Sequence, residues 1–283
     1  MTAMWQWLAA LAAIAGAGAA QMAADVSSPL NDYNLSYDGA ERIRVFARSE
    51  ADFANAMIYV SGRKSGRWSL PEPIGFSDPR YSDTDPWLTP DGRTLYFASN
   101  RPTAERPGKK DLDLWRSRRS RDGRWSAPEH LGPAVNGPGP ELGPEYHGGI
   151  LYFGSARKNG RGGLDIYAAR GRDGAFPDAP ELLSGPFNTA ASESDFTLSP
   201  DGRHAVFWRM IGAKGVLHIA GRTGAGWSVP VPLPEGVNIG PFNFTPSFAR
   251  DGRTLRFAST RARPGQAEGM ADIYVVKLGG MPN

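Results

Sequence analysis

DPWLTPDGRTLYFASNR at residues 85–101 and DLDLWRSRRSRDGRWSAPEHLGPAVN at residues 111–136 decide the fold. A short run ends at Asp91-Gly92, where glycine supplies the positive φ that a tight hairpin needs. The apolar run 94–99 follows as a second strand, and 113–117 reads as a third after a polar loop. A further Asp-Gly turn leads to Trp125-Ser126, the start of a fourth. The unit is an up-and-down meander.

The same succession recurs along the chain. Asp38-Gly39, Asp91-Gly92, Gly148-Gly149, Asp201-Gly202 and Asp251-Gly252 each precede an apolar run, at spacings of 53, 57, 53 and 50 residues. A period near 50 belongs to propellers and solenoids. Second strands are expected at 43–47, 94–99, 150–155, 205–208 and 254–259, and third strands at 57–61, 113–117, 165–169, 216–220 and 272–277. Trp68-Ser69, Trp125-Ser126, Phe176 and Trp227-Ser228 mark the fourth, but the fifth unit has no such segment. Residues 25–30 (DVSSPL) read as a worn copy of it. A blade shared by both termini closes a ring without leaving an open sheet edge. The expected fold is therefore all-β, a five-bladed β-propeller of four-stranded antiparallel blades, with its last blade closed by the mature N-terminal strand.

Composition agrees. Thirty-five glycines and 24 prolines in 283 residues are too many for a helical chain, and 40% hydrophobic residues suffice for a core. The absence of cysteine excludes a disulfide framework, a thiolate metal site and a cysteine nucleophile. The apolar run 8–20 is too short to span a bilayer comfortably, and small residues at 18–20 and at 22–24 suit a leader peptidase. Residues 1–24 are accordingly read as a secretory signal peptide and 25–283 as one propeller domain, periplasmic or secreted in a bacterium. The mature chain would be a monomer without a transmembrane segment. A formal net charge of +3 falls far short of a nucleic-acid-binding signature.

PDGRTLYFASNR at 90–101, GGLDIY at 162–167, RWSAPEHLG at 124–132 and Asn188-Thr189 resemble the WD40-like PD40 repeats of TolB-like periplasmic β-propellers. The resemblance runs through the whole mature region and is sharpest in the second, third and fifth units. It implies a propeller of the bacterial envelope. It implies little about activity, because propellers carry many unrelated functions. No segment resembling an OmpA-like domain or TolB's N-terminal domain is present, so TolB's own partner does not carry over.

Two recurrent features are expected to be scaffold. Arg101, Arg157 and Arg261 occur in the units that begin strand three with Asp113, Asp165 and Asp272, which suggests Arg–Asp contacts between neighbouring strands. The aromatic at the start of strand four suggests packing between blades.

The start of each first strand is expected to lie at the mouth of the central channel. There the sequence supplies Asp32, Asp83, Asp85, Glu141, Glu193 and Asp195. Converging carboxylates call for a cation, a basic partner or protonation. Ca²⁺, a cationic peptide or a polyhydroxylated ligand would answer that need, and turn capping is the plain alternative. Blade two adds a basic run in which Lys109, Lys110, Arg116 and Arg118 are candidates for surface contact. His130, His147, His204 and His218 show no metal-binding spacing, and no nucleophile elbow or phosphate loop is present. The functional expectation is a non-catalytic binding or scaffold module for an envelope protein or peptide. The alternative is a carbohydrate-active enzyme or glycan binder that uses Asp32, Asp85, Glu141 and Asp195, as five-bladed glycoside hydrolases use carboxylates.

Overall fold

Five antiparallel sheets radiate from an axis lined by their first strands, Asn31–Tyr37, Asp83–Leu88, Glu141–His147, Glu193–Leu198 and Asn243–Phe248. Each first strand touches the first strands of both neighbouring blades, so the ring closes. The computed structural model describes residues 18–266 and 269–279. The leader proposed for the chain's start therefore lies outside the described residues as far as residue 17. Among the described residues no helix is long and apolar enough to cross a membrane.

Second and third strands follow the repeat: Thr94–Ser99 pairs with Asp113–Arg118, and Thr254–Ser259 with Asp272–Lys277. In blades one and four the fourth strand is broken into two short pieces, Arg67–Trp68 with Glu72–Pro73 and Gly226–Trp227 with Val231–Pro232. Blade five is closed by the N-terminal strand, but by Gln21–Met22 rather than by 25–30. Gln21 lies opposite Val275 and Met22 opposite Tyr274. The stretch read as the worn copy turns inward instead. The amides of Val26 and Ser27 bond the Ala23 carbonyl, Val26 is buried, and Asp25 forms an ion pair with the buried Arg44.

The core is divided into layers between blades. Val45, Ile58, Leu88 and Phe97 fill the boundary of blades one and two; Phe153, Tyr167, Leu114 and Tyr96 fill the next. Phe187, Phe196 and Phe207 pack between blades three and four, and Phe176 reaches Tyr96 in the preceding blade. The residues that gave the repeat its signature have local roles. Asn136, Asn188 and Asn238 each bond both the amide and the carbonyl of one strand-three residue, Leu114, Ile166 and Leu217 respectively. Each side chain thereby replaces a strand neighbour and satisfies a buried peptide group. Ser69, Ser126 and Ser228 accept the amides of Gly62, Arg118 and Gly221 at the strand end.

Candidate functional site

The expected site residues divide into two tiers along the axis, and a third tier contains a residue that the sequence reading passed over. In the outermost tier Asp32, Asp83, Glu141 and Glu193 each have a guanidinium partner. The ion pairs are Asp32–Arg48 at 2.7 Å, Asp83–Arg101 at 2.6 Å, Glu141–Arg157 at 3.5 Å and Glu193–Arg209 at 2.7 Å. Arg48 and Arg209 stand directly opposite their acids in the ladder. Ser99 and Ser155 hold that place in blades two and three, where the arginine comes two residues later. Burial pushes the carboxyls of Asp32, Asp83 and Glu141 up from the ordinary range, and the guanidinium charge opposes it. In blade five Asn243 replaces the acid and bonds Ser259 at 2.8 Å. Arg261, left without an acid there, lies 4.0 Å over the Tyr274 ring and donates to the Val237 carbonyl.

These pairings correct the expected ones. Arg101 and Arg157 contact acids of strand one, not Asp113 and Asp165. Asp113 instead meets Lys109, Arg106 and His130; Asp165 accepts the amides of Arg161 and Gly162; and Asp272 pairs with Arg263. The basic candidates of blade two are also partly engaged. The Lys109 side chain is only 1% exposed, and Arg116 shares Glu129 with Arg118 while donating to the Gly174 carbonyl of blade three. Lys110 is exposed.

The second tier is a bulge repeated in all five first strands. Its left-handed residues are Asn34, Asp85, Gly143, Asp195 and Thr245, with φ between 46° and 55°. Side chains here accept backbone amides of the following blade. Gly143 donates to Asp85 Oδ2 at 3.0 Å, Thr245 to Asp195 Oδ2 at 2.9 Å, and Asn34 to Thr245 Oγ1 at 3.2 Å. Asp85 and Asp195 have no cation beside them. Burial raises both carboxyls, and the neighbouring Asp85 adds to the shift at Asp195, which is pushed up to about 7. Asp195 Oδ1 occupies the space that a side chain at position 143 would fill.

The third tier consists of Ser36, Trp87, Glu145, Thr197 and Ser247, two residues beyond the bulge residue in each blade. Glu145 Oε1 accepts the Leu198 amide at 2.8 Å, Ser36 accepts the Leu88 amide at 3.0 Å, and Ser247 donates to the Leu35 carbonyl at 2.8 Å. Glu145 is 6% exposed and faces no cation, and burial pushes its carboxyl up to about 7. This tier is the floor of a chamber of about 360 Å³ that opens on the Asp-Gly-turn side of the ring, opposite the first-strand starts. Tyr37, His147, Phe248, Arg250 and Arg256 form its wall. Arg256 is spoken for, 2.9 Å from Glu41 and 4.0 Å over the Tyr37 ring. Aligning the five repeats by the bulge would have disclosed this tier, since four of its five residues are polar in a strand otherwise packed against other strands.

Among the described residues no three His, Cys, Asp or Glu side chains are placed to hold a metal ion.

No family model matches the chain, and no curated protein matches it. Solved structures do resemble it. TolB from Acinetobacter baumannii superposes with a TM-score of 0.53 at 14% identity, covering 90% of this chain and 57% of its own. This chain thus spans less than two thirds of that protein. A thermostable family-43 glycoside hydrolase gives a TM-score of 0.58 at 10% identity, covering 93% and 98%. The catalytic domain of the Coprinopsis cinerea GH62 α-L-arabinofuranosidase gives 0.53 at 11%, covering 88% and 90%. At such identities the likeness is one of fold, shared with TolB proteins and with glycosidases alike.

Proposed function

We propose that the chain is a non-catalytic binding propeller of the bacterial envelope that takes a segment of another protein, or a peptide, in the chamber on the Asp-Gly-turn side. One observation carries this reading. The four acids that a glycosidase reading would recruit are already tied into the scaffold, Asp32 and Glu141 by guanidinium groups and Asp85 and Asp195 by amides of the next blade. The chamber combines a concave wall with aromatic, hydroxyl and carboxyl groups, the usual make-up of a recognition pocket. The TolB likeness supports an envelope setting and the leader supports export.

Trp87 beside the hydroxyls of Ser36, Thr197 and Ser247 would also suit a sugar ring, which makes glycan binding the second reading. Panning a displayed peptide library on the immobilised full chain, alongside a glycan array, separates the two. Enriched peptides that lose binding in Trp87→Ala support the proposal. Glycan binding with no enriched peptide, or release of sugar from an arabinoside, overturns it.

A further inference from the structure

The geometry points to a primary ammonium group as the ligand of the chamber, with Glu145 as its counter-ion and Trp87 as its wall. The inference rests on the binding reading above and specifies its chemistry. Glu145 is the carboxylate of the chamber floor, buried within a recess wide enough for a short alkyl chain. The other charged groups facing the chamber are Asp38, Glu41, Arg250 and Arg256, with His147 at its wall. Asp38 accepts the amides of Arg42 and Ile43, Glu41 holds Arg256, and Arg250 donates to the Gly39 carbonyl at 3.3 Å. None of these neutralises Glu145. Below it Asp85 and Asp195 lie on the same axis, also without a cation beside them, and Tyr152 lies nearby without contributing one. A carboxylate with no counter-ion at the open end of a low-dielectric channel attracts a cation.

The shape of the site selects among cations. Among the described residues Glu145 belongs to no group of three His, Cys, Asp or Glu that could hold a metal ion. A guanidinium binds best to a carboxylate that offers both oxygens in parallel, whereas Glu145 Oε1 already holds the Leu198 amide. The Thr197 hydroxyl and the Trp87 indole N–H also lie against the Glu145 carboxyl. An ammonium is a compact charge that can share one carboxylate oxygen with such donors, and the Trp87 ring can flank its alkyl stem. Lysine side chains and peptide N-termini both present this group.

The test measures binding of n-hexylamine and of n-hexanol to the full chain by saturation-transfer NMR titration. At pH 8 the amine is expected to bind at least about tenfold more tightly than the alcohol. At pH 6 protonation of Glu145 is expected to erase about tenfold of that preference. Glu145→Gln should abolish the preference without lowering the melting temperature, and Trp87→Ala should weaken both probes. Ac-Gly-Lys-Gly-NH₂ and triglycine amide then distinguish a lysine side chain from a free N-terminus. Equal binding of amine and alcohol, binding of neither, or a preference that survives in Glu145→Gln overturns the ammonium site. Peptides that the library enriches without an amine requirement would leave the binding reading standing while overturning this one.

Discussion

The carboxylate of Asp85 in blade two accepts the backbone amide of Gly143 in blade three at 3.0 Å, across the boundary between blades. The same tie links Asp195 to Thr245 and Thr245 to Asn34, always from a side chain to the amide of the blade that follows. Left-handed backbone makes this direction workable, because it turns the side chain along the ring rather than into the neighbouring sheet. Such φ values cost non-glycine residues of order 1 kcal/mol or more, and the amide bond offsets that cost. The bulge acts as a partial ring of side-chain staples, three of the five possible, with none from Asn34 in blade one and none from blade three, which has only glycine.

That gap makes Gly143 a sensitive position. It has φ of 55°, and a Cβ there would lie 3.2 Å from the Asp195 Cα and in hard contact with its carboxylate. Gly143→Ala is expected to lower stability by about 2–4 kcal/mol in urea unfolding. Adding Asp195→Ala relieves the clash but removes the tie to Thr245. The double variant should therefore be less destabilised than the sum of the two single changes.

The ion pair of Asp83 and Arg101, with side chains 2% and 11% exposed, gives a second test. Removing one partner leaves an uncompensated buried charge, so Arg101→Ala should cost about 3–5 kcal/mol. Blade five has a neutral residue in the acid's place, Asn243 opposite Ser259, while its Arg261 is held by the Tyr274 ring and the Val237 carbonyl. Asp83→Asn combined with Arg101→Met should therefore lose less stability than Arg101→Ala alone. A double variant as unstable as the single one would show that the guanidinium is needed for its hydrogen bonds to the loop rather than for its charge.

The pH dependence follows from Glu145 and Asp195, whose carboxyls are held near 7 in the folded chain against ordinary values of 4.5 and 3.8. Between those limits the folded state keeps protons that the unfolded chain has released, so stability falls as pH rises toward 7 and levels off above it. The acid limb comes from groups shifted the other way. Arg80 holds Asp78 down to about 2, and Arg116 lowers Glu129; the stability these contribute disappears as pH falls through their folded values. The melting temperature should therefore peak at about pH 4 and decline to about pH 7. Glu145→Gln should recover roughly 3 kcal/mol at pH 8 and flatten that decline. A flat profile in the parent chain would contradict the uncompensated burial of both acids.

The repeat was legible because each signature residue acts locally: Gly in a tight turn, Ser and Asn on peptide groups of one blade. The partners of Arg101 and Arg157 were not, because co-occurrence with Asp113 and Asp165 cannot tell which face of the hairpin a long side chain follows. Arg reaches back to strand one, where a buried acid waits, and Asp113 finds Lys109 and Arg106 in its own loop. Glu145 escaped notice for a related reason. The bulge inserts a residue into the alternation, and only superposed blades put Ser36, Trp87, Glu145, Thr197 and Ser247 on one level.

The closing strand bears on where a leader would end. Gln21 and Met22 pair with Val275 and Tyr274, and the Ala23 amide bonds the Ile273 carbonyl at 2.9 Å. A peptidase cutting after Ala24 would remove this strand and bare the edge of Asp272–Lys277, an invitation to association between chains. Cutting after Ala20, with Gly18 and Ala19 exposed, would keep it. The mature N-terminus is therefore predicted to be Gln21, not Asp25, which intact mass of the exported protein decides. The ladder pairing, the Ala23 amide bond and the partly buried Met22 contribute about 3 kcal/mol together. A chain begun at Asp25 should thus melt several degrees below one begun at Gln21 and associate more readily as concentration rises. An exported protein that begins at Asp25 and melts no lower would show that the closing strand is dispensable and that the ring is held by its inter-blade ties alone.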